Sequence, residues 1–483
     1  MKTIIAGQAA AASRSTKTPP SVRWALASLA LSVLLSSLGT SIANVALPNL
    51  AQAFNASFQA VQWIVIAYLL AITTLIVSAG RLGDIIGRRR LLLIGLSLFT
   101  LASLLCGMAP TLSLLIAARA LQGLGAAIMM ALAMAFVGET VPKEKTGSAI
   151  GLLGTMSAIG TALGPSLGGV LIAGPGWRAI FFINLPLGAL TLFLAHRYLP
   201  VAQKNPTTER PGFDTIGTLL LALTLAAYAL AMTSGRGSFG PLNTALLVVA
   251  FIGAGLFVLA ETKSTSPLIR LAMFGQLELS ASLATSTLVS TVMMATLVVG
   301  PFYLSRSLGL DAARVGLVLS VGPAVAALTA APAGRIVDRL GTQRVSTAGL
   351  IGMATGAIAL SMLPTMSGIP GYLAPLVVVT ASYAFFQTAN NTAVMKDVSP
   401  EQRGAISGLL NLSRNLGLIT GAAVMGAVFA FGAASNDMTT APPEAVANGM
   451  RITFGVATAL LVVALSIAAG AKRRAFRNRA VAP

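Results

Sequence analysis

Apolar positions in this chain neither alternate with polar ones nor recur once per helical turn. They run on for about twenty residues or more between short clusters of Gly, Pro and charged residues. A run of that length crosses a bilayer as a helix, because any other backbone at that depth leaves amides without hydrogen bonds. The pattern predicts fourteen spans, at 23–48, 60–80, 90–108, 111–137, 147–173, 178–198, 215–233, 242–261, 280–304, 312–334, 345–364, 371–392, 403–431 and 449–470. An even number puts both termini on one side. The first run is too long for the apolar region of a secretory signal, so the first span is expected to stay in the mature protein.

Composition agrees: 55% of the 483 residues are hydrophobic and 9% charged, which excludes a soluble globule. Cys106 stands alone, so no internal disulfide forms, and with His196 as the one histidine the usual Cys/His metal clusters are absent. No metal or other cofactor is implied, and without a Walker-type phosphate loop the main route to direct ATP coupling is gone. The net charge of +19 would suggest nucleic acid in a soluble protein. Here the charge lies in short loops, so the expected partner is the lipid bilayer and not nucleic acid. With the N-terminus inside, 25 of the 32 Lys and Arg fall on the cytoplasmic side, and five (Arg178, Arg236, Arg306, Arg314 and Arg451) fall outside. That is the direction the positive-inside rule requires of a multi-pass protein of the cell (inner) membrane. Arg119 and Arg414 are left within spans.

The chain repeats itself. Gly80-Arg-Leu-Gly-Asp84-Ile-Ile-Gly87-Arg88-Arg-Arg90 and Gly334-Arg-Ile-Val-Asp338-Arg339-Leu-Gly341-Thr-Gln-Arg344 agree at five of eleven positions, 254 residues apart. Pro142 to Lys145 and Pro400 to Arg403 form a second pair, 258 apart. A duplicated half follows, and two related bundles with a site between them near the midplane is an arrangement of many secondary transporters.

At these residues the sequence resembles the major facilitator superfamily, specifically its fourteen-span drug:proton antiporter branch. The two repeated loops resemble the superfamily's loop between spans two and three and its second-half counterpart. Arg119-Ala-Leu-Gln122-Gly-Leu-Gly125 resembles the fourth-span motif, and Gly160-Thr-Ala-Leu-Gly164-Pro165-Ser-Leu-Gly168-Gly169 the fifth-span motif of exporters. Trp177 to Pro186 opening span six and Asn44 to Pro48 closing span one resemble the branch itself. The resemblance implies an all-α integral membrane protein of major facilitator fold: two six-helix bundles plus two extra central helices, with both termini cytoplasmic. The expected divisions are a tail at 1–22, the first bundle at 23–198, a loop at 199–213, the extra helices at 214–262, a linker at 263–279, the second bundle at 280–470 and a basic tail at 471–483. One departure stands out. The family's first-span pattern commonly carries an aspartate after the leucine, and here Leu38 is followed by Gly39.

The residues permit more than one reading. Gly164, Gly168 and Gly169 suit close helix packing, while Pro165, which removes a backbone bond, offers a gating bend. The resemblance favours a conformational role for the stretch Gly160, Gly164, Pro165, Gly168 and Gly169. Asp84 and Asp338 can pair with Arg88 and Arg339 or lie against a helix N-terminus, for about 0.3–1 kcal/mol. The resemblance makes each loop, with its glycines Gly80, Gly87, Gly334 and Gly341, a latch made in one orientation of the halves and broken in the other. Arg119 falls about 12 Å into its span and Arg414 about 16 Å. A charge there costs about 2.5–3.5 kcal/mol or more, so each is expected to line a polar cavity or pair with neighbours such as backbone carbonyls. No acid lies at mid-span. Glu139, about 30 Å along the helix from Arg119, and Asp84 are peripheral proton carriers, and titration of the substrate itself is the alternative.

Arg119, Arg414, Asn44, Gln122, Gln387, Asn390 and Asn391 form a candidate substrate and proton pathway, with aromatic walls from Trp63, Tyr68, Phe385 and Phe386. The functional reading is a monomeric secondary-active exporter of small amphiphiles (drugs, antibiotics or metabolites) in exchange for protons, favouring neutral or anionic substrates over dications. It has no enzymatic step. A nutrient or metabolite importer of the same fold is the alternative, and the Gly160 to Gly169 stretch counts against it.

Overall fold

The computed structural model describes residues 20–140, 146–200, 214–233, 240–264, 267–268, 274–363, 367–395, 403–434, 438 and 441–481. Among these there is no strand. The helices are α1 (Pro20–Ala53), α2 (Phe58–Ile86), α3 (Arg88–Met108), α4 (Leu112–Thr140), α5 (Thr146–Ala173) and α6 (Ala179–Tyr198), then α7 (Thr215–Thr233) and α8 (Pro241–Lys263). They are followed by α9 (Leu277–Ser307), α10 (Ala312–Leu340), α11 (Thr342–Ser361), α12 (Gly368–Met395), α13 (Arg403–Thr420, continuing to Gly432) and α14 (Pro443–Val481). Among the described residues, thirteen helices are long and apolar enough to cross a membrane. The rod that falls short is α11, a 20-residue helix that opens on Gln343 and Arg344.

Three helices depart from the uniform spans expected. α6 is interrupted at Ile183, because Pro186 has no N–H to donate to the Phe182 carbonyl. α9 ends in a π turn at Tyr303–Ser307, and α13 contains another at Gly421–Met425. The last helix, α14, runs on through the basic segment after residue 470 to Val481.

Side-chain contacts fix how the rods are oriented. At the start of α1, Trp24 stacks on Tyr198 at the end of α6, ring centroids 6.1 Å apart. At the start of α3, Arg89 donates to the His196 carbonyl. In the second half, the starts of α9 and α11 share a cavity with the ends of α12 and α14. We call this the terminal face. The end of α1, the end of α9 and the start of α10 share a cleft at the opposite face, so the two halves run in the same sense.

The duplication is visible in the packing. α1 lies on α5, α2 on α4, α3 on α4 and α6, and eight helices later α9 lies on α13, α10 on α12, α11 on α12 and α14. The extra helices α7 and α8 pair with each other, and α7 rests on α2 through a Ser78–Thr218 hydroxyl contact of 3.0 Å and on the π turn of α13. The outer side of α8 is bare: Phe251 is 83% exposed, as befits a helix turned towards lipid.

The buried core is divided unevenly. One apolar cluster joins both halves and holds Ile42, Leu47, Phe58 and Ile64 from the first with Val299, Phe302, Ala423 and Phe429 from the second. These positions lie in the half of the molecule nearer the opposite face. Nearer the terminal face each half keeps its own core: one cluster around Leu29, Leu92, Met129 and Leu153, and separate small ones around Leu283 and Leu409 and around Val337 and Val345. The halves therefore share an apolar core at one end and keep separate apolar cores at the other.

Candidate functional site

Arg119 on α4 is fully buried, with no part of it exposed. Its Nε donates to the Ile64 carbonyl on α2 at 3.0 Å, Nη2 to the Gly39 carbonyl on α1 at 3.0 Å, and Nη1 to Gln122 Oε1 at 2.5 Å. Gln122 passes the chain on, donating through Nε2 to Ser103 Oγ on α3 at 2.7 Å. The guanidinium carbon sits 4.0 Å from the centre of the Tyr68 ring, whose own hydroxyl donates to the Ser36 carbonyl at 2.8 Å. A desolvated cation over an aromatic face gains about 2 kcal/mol, and the hydrogen bonds offset the remaining desolvation. Of the two outcomes the sequence allowed, the structure takes pairing: Arg119 and Gln122 tie α1, α2, α3 and α4 together inside the first half. Gly39 stands at the centre of this network. A side chain at that position would begin 3.0 Å from the Tyr68 hydroxyl, beside the carbonyl that receives Arg119.

The contacts that join the halves gather near the opposite face. Phe58 on α2 meets Phe302 on α9 edge-on at 4.8 Å and Phe429 on α13 at 5.4 Å, all three rings buried. Beside them, Gln62 Nε2 on α2 donates to the Ala422 carbonyl at 3.0 Å. Ala422 lies in the π turn of α13, where the hydrogen-bond pattern shifts and leaves carbonyls for other donors.

On the other flank, α5 and α10 touch backbone to backbone. A Cβ on Gly316 would come 2.3 Å from the Pro165 carbonyl oxygen, and one on Gly169 would come 2.6 Å from that of Ala312. The glycine motif thus divides by helix face. Gly160, Gly164 and Gly168, a turn apart, abut Leu34, Ser41 and Val45 of α1 within the first half. Pro165 and Gly169 meet the second half. Phe58, Phe302, Phe429, Gln62 and Gly316 escaped sequence reasoning, since nothing in their local pattern distinguishes them from core.

The two repeated loops are built alike. Gly87 ends α2 and starts α3 with φ of 100°, and Gly341 ends α10 and starts α11 with φ of 83°. Only glycine holds such angles without strain. Gly80 and Gly334 face open space. Arg88 is half-buried, while Asp338 and Arg339 are exposed and form no ion pair among the described residues. The side chains of Asp84 and Glu139 lie outside the described residues, so the latch in the first half and the peripheral proton carriers are not placed.

The remaining candidates are scattered. Asn44 is buried on α1, donating to the Thr40 carbonyl of its own helix at 3.0 Å and leaving Oδ1 unpaired. Asn390 on α12 is buried and reaches the Ser282 carbonyl at 3.4 Å, while Gln387 Oε1 and Asn391 Oδ1 have no partner. Arg414 on α13 is half-buried and shares none of the partners of Arg119. Trp63 and Phe385 are half-buried, and Phe386 is in the core against Gly349. Gln59 on α2 and Ser286 and Ser290 on α9 add further buried polar atoms without partners. Such atoms are completed by water or by a solute. No group of three or more metal-ligating side chains occurs among the described residues.

Comparison with known proteins adds to this geometry. The family model described as Major Facilitator Superfamily matches residues 29–422. The multidrug resistance protein Stp of Mycobacterium tuberculosis is 34% identical over 403 residues, spanning 83% of this chain and 74% of that protein. The riboflavin transporter RibZ of Clostridioides difficile is 30% identical over 437 residues, 90% of this chain and 94% of that one. Among solved structures, a bacterial homologue of the human lysosomal transporter Spinster, inward-facing and unoccupied, superposes with a TM-score of 0.68 at 16% identity, over 94% of this chain and 98% of that chain.

Proposed function

The chain belongs to the major facilitator superfamily, and from that premise we propose that it is a fourteen-span exporter that moves small amphiphiles out of the cytoplasm by alternating access, in exchange for protons. The carrying observation is the divided core: both halves share one cluster near the opposite face and keep separate cores near the terminal face. Two rigid bundles joined at one end present a site to the other end, and rocking them exchanges the ends. The terminal face bears Arg88, Arg89, Arg90, Arg335, Arg339 and Arg344, which makes it the cytoplasmic one by the positive-inside rule. Both termini are then inside, and α11, packed between α12 and α14, is the fourteenth span.

The substrate class follows from the polar groups available. Unpaired amide and hydroxyl atoms of Asn44, Gln387, Asn391, Ser286 and Ser290 suit uncharged hydrogen-bonding solutes. Arg119 spends its donors within the first half, which leaves Arg414 as the intramembrane cation for anionic substrates. The relatives are compatible: one is named for multidrug resistance and another for riboflavin, an uncharged aromatic amphiphile. With Gly39 in the family's aspartate position, proton coupling falls to a peripheral carboxylate such as Glu139 or Asp84, or to the substrate. The protein is read as a monomer in the inner membrane.

The test is uptake into inverted membrane vesicles of an anionic and a cationic fluorescent amphiphile, with and without a protonophore. Protonophore-sensitive accumulation of the anionic compound is the expected result. Accumulation of the cation alone would overturn the substrate assignment, and accumulation of neither would overturn export.

A further inference from the structure

At the opposite face a cleft of about 210 Å³ opens between the halves. Val45, Asn49 and Gln52 of α1 form one wall, and Phe302 and Arg306 of α9 the other. Its floor is apolar: Val45 is 2% exposed and Phe302 fully buried, and Phe302 is also a member of the aromatic seal below. Its rim is polar, with the Asn49 and Gln52 amides on one side and the Arg306 guanidinium on the other.

Arg306 sits in the π turn Tyr303–Ser307. The extra residue in that turn rotates the positions after it by about 100° relative to a regular helix. Arg306 forms no hydrogen bond or ion pair with a described residue. Asp311, which also lines the cleft, is already engaged: its Oδ1 caps α10 by accepting from the Arg314 N–H at 2.8 Å, and its Oδ2 lies 3.4 Å from Arg314 Nε. The cleft therefore joins one uncommitted cation, two amides, an apolar floor and one carboxylate committed to Arg314, with one wall from each half.

We propose that this cleft is a binding site for a small monocarboxylate with an apolar body, and that its occupancy fastens the halves together at the opposite face. The carboxylate accepts from the Arg306 guanidinium and from the Asn49 and Gln52 amides, and the body rests on Pro48, Leu310 and Ala312, the partly exposed apolar lining above Val45 and Phe302. Charge-assisted bonds of this kind are the strong ones. Rocking the halves apart separates α1 from α9 and destroys the cleft, so the ligand binds the closed form alone and shifts the equilibrium towards it by mass action. The binding step rests on the structure alone; the fastening rests on the alternating-access reading above.

The test uses the purified full chain in lipid nanodiscs with salicylate as probe and salicylamide as its uncharged counterpart. Calorimetry is expected to show saturable binding of salicylate, weakened at least tenfold by Arg306→Gln and by Asn49→Asp, and tenfold weaker for salicylamide. Unchanged affinity in either variant, or equal affinity for salicylamide, overturns the site. Spin labels at Thr111→Cys and Glu444→Cys, exposed on different halves of the opposite face, read the fastening, since Cys106 is buried and stays unlabelled. Salicylate is expected to remove the longer distances in otherwise unchanged protein and to leave them in place in Arg306→Gln. Persistence of the longer distances at saturating salicylate overturns the fastening. Matching elution profiles and label positions in the variants exclude misfolding as the cause of lost binding.

Discussion

Gly316→Ala adds one methyl group where α5 and α10 touch. The new Cβ would lie 2.3 Å from the Pro165 carbonyl oxygen and 2.9 Å from the Gly169 Cα. Both are backbone atoms, so no rotamer change relieves the overlap. Restoring an ordinary carbon–oxygen contact of about 3.3 Å requires the helices to part by about 1 Å. Overpacking of this kind costs about 1–3 kcal/mol, and the cost falls only on the state in which the opposite face is closed. The gain in helix propensity from replacing glycine, about 1 kcal/mol, is present in both states and cancels. The closed-to-open ratio should therefore fall by about 5- to 150-fold.

The assay is labelling of Val45→Cys, 2% exposed in the closed form, by a membrane-impermeant maleimide applied from the opposite face. Its rate follows the open fraction and should rise by the same factor until opening saturates. Gly154→Ala, also on α5 but with nothing within 4 Å of the added carbon, should label like the parent. Folded Gly316→Ala protein labelling at the parental rate would refute the reasoning.

Phe302→Ala removes the ring shared by the seal and should speed Val45→Cys labelling while lowering the thermal unfolding midpoint, since emptying a core aromatic costs about 3–5 kcal/mol. Arg119→Met should lower the unfolding midpoint without changing labelling, because it removes the second donor from the helical Ile64 and Gly39 carbonyls and leaves the buried Gln122 Oε1 without its donor, at about 1–3 kcal/mol for the group left unpaired; faster labelling would mean that Arg119 takes part in opening. Gly87→Ala and Gly341→Ala should each destabilise by about 1–3 kcal/mol in thermal unfolding because of their φ angles, and Gly80→Ala, inside α2 and facing open space, should stabilise by up to about 1 kcal/mol.

The helices, the duplication and the basic face were legible in the chain. Apolarity sustained over a bilayer's thickness is a local property, and the backbone's need for internal hydrogen bonds leaves the helix as the answer. The repeat survived as Gly87 and Gly341 because positive φ is a local demand that only glycine meets. Local sequence also explains the break at Ile183, through Pro186. The duties of particular residues were not legible, because they depend on how each helix is rotated against its neighbours. Gly168 and Gly169 are adjacent in sequence but about 100° apart around α5; one packs on Val45 within the first half and the other on Ala312 across the interface. Arg119 announced itself as a costly buried charge, but its partners Gly39, Ile64 and Tyr68 come from other helices. The seal of Phe58, Phe302 and Phe429 joins residues hundreds of positions apart, each an ordinary phenylalanine on its own helix. Sequence by itself determined the rods and their repetition, since each satisfies its backbone alone; only the tertiary structure decided which faces meet, because those contacts are set by the phase and tilt of helices distant in the chain.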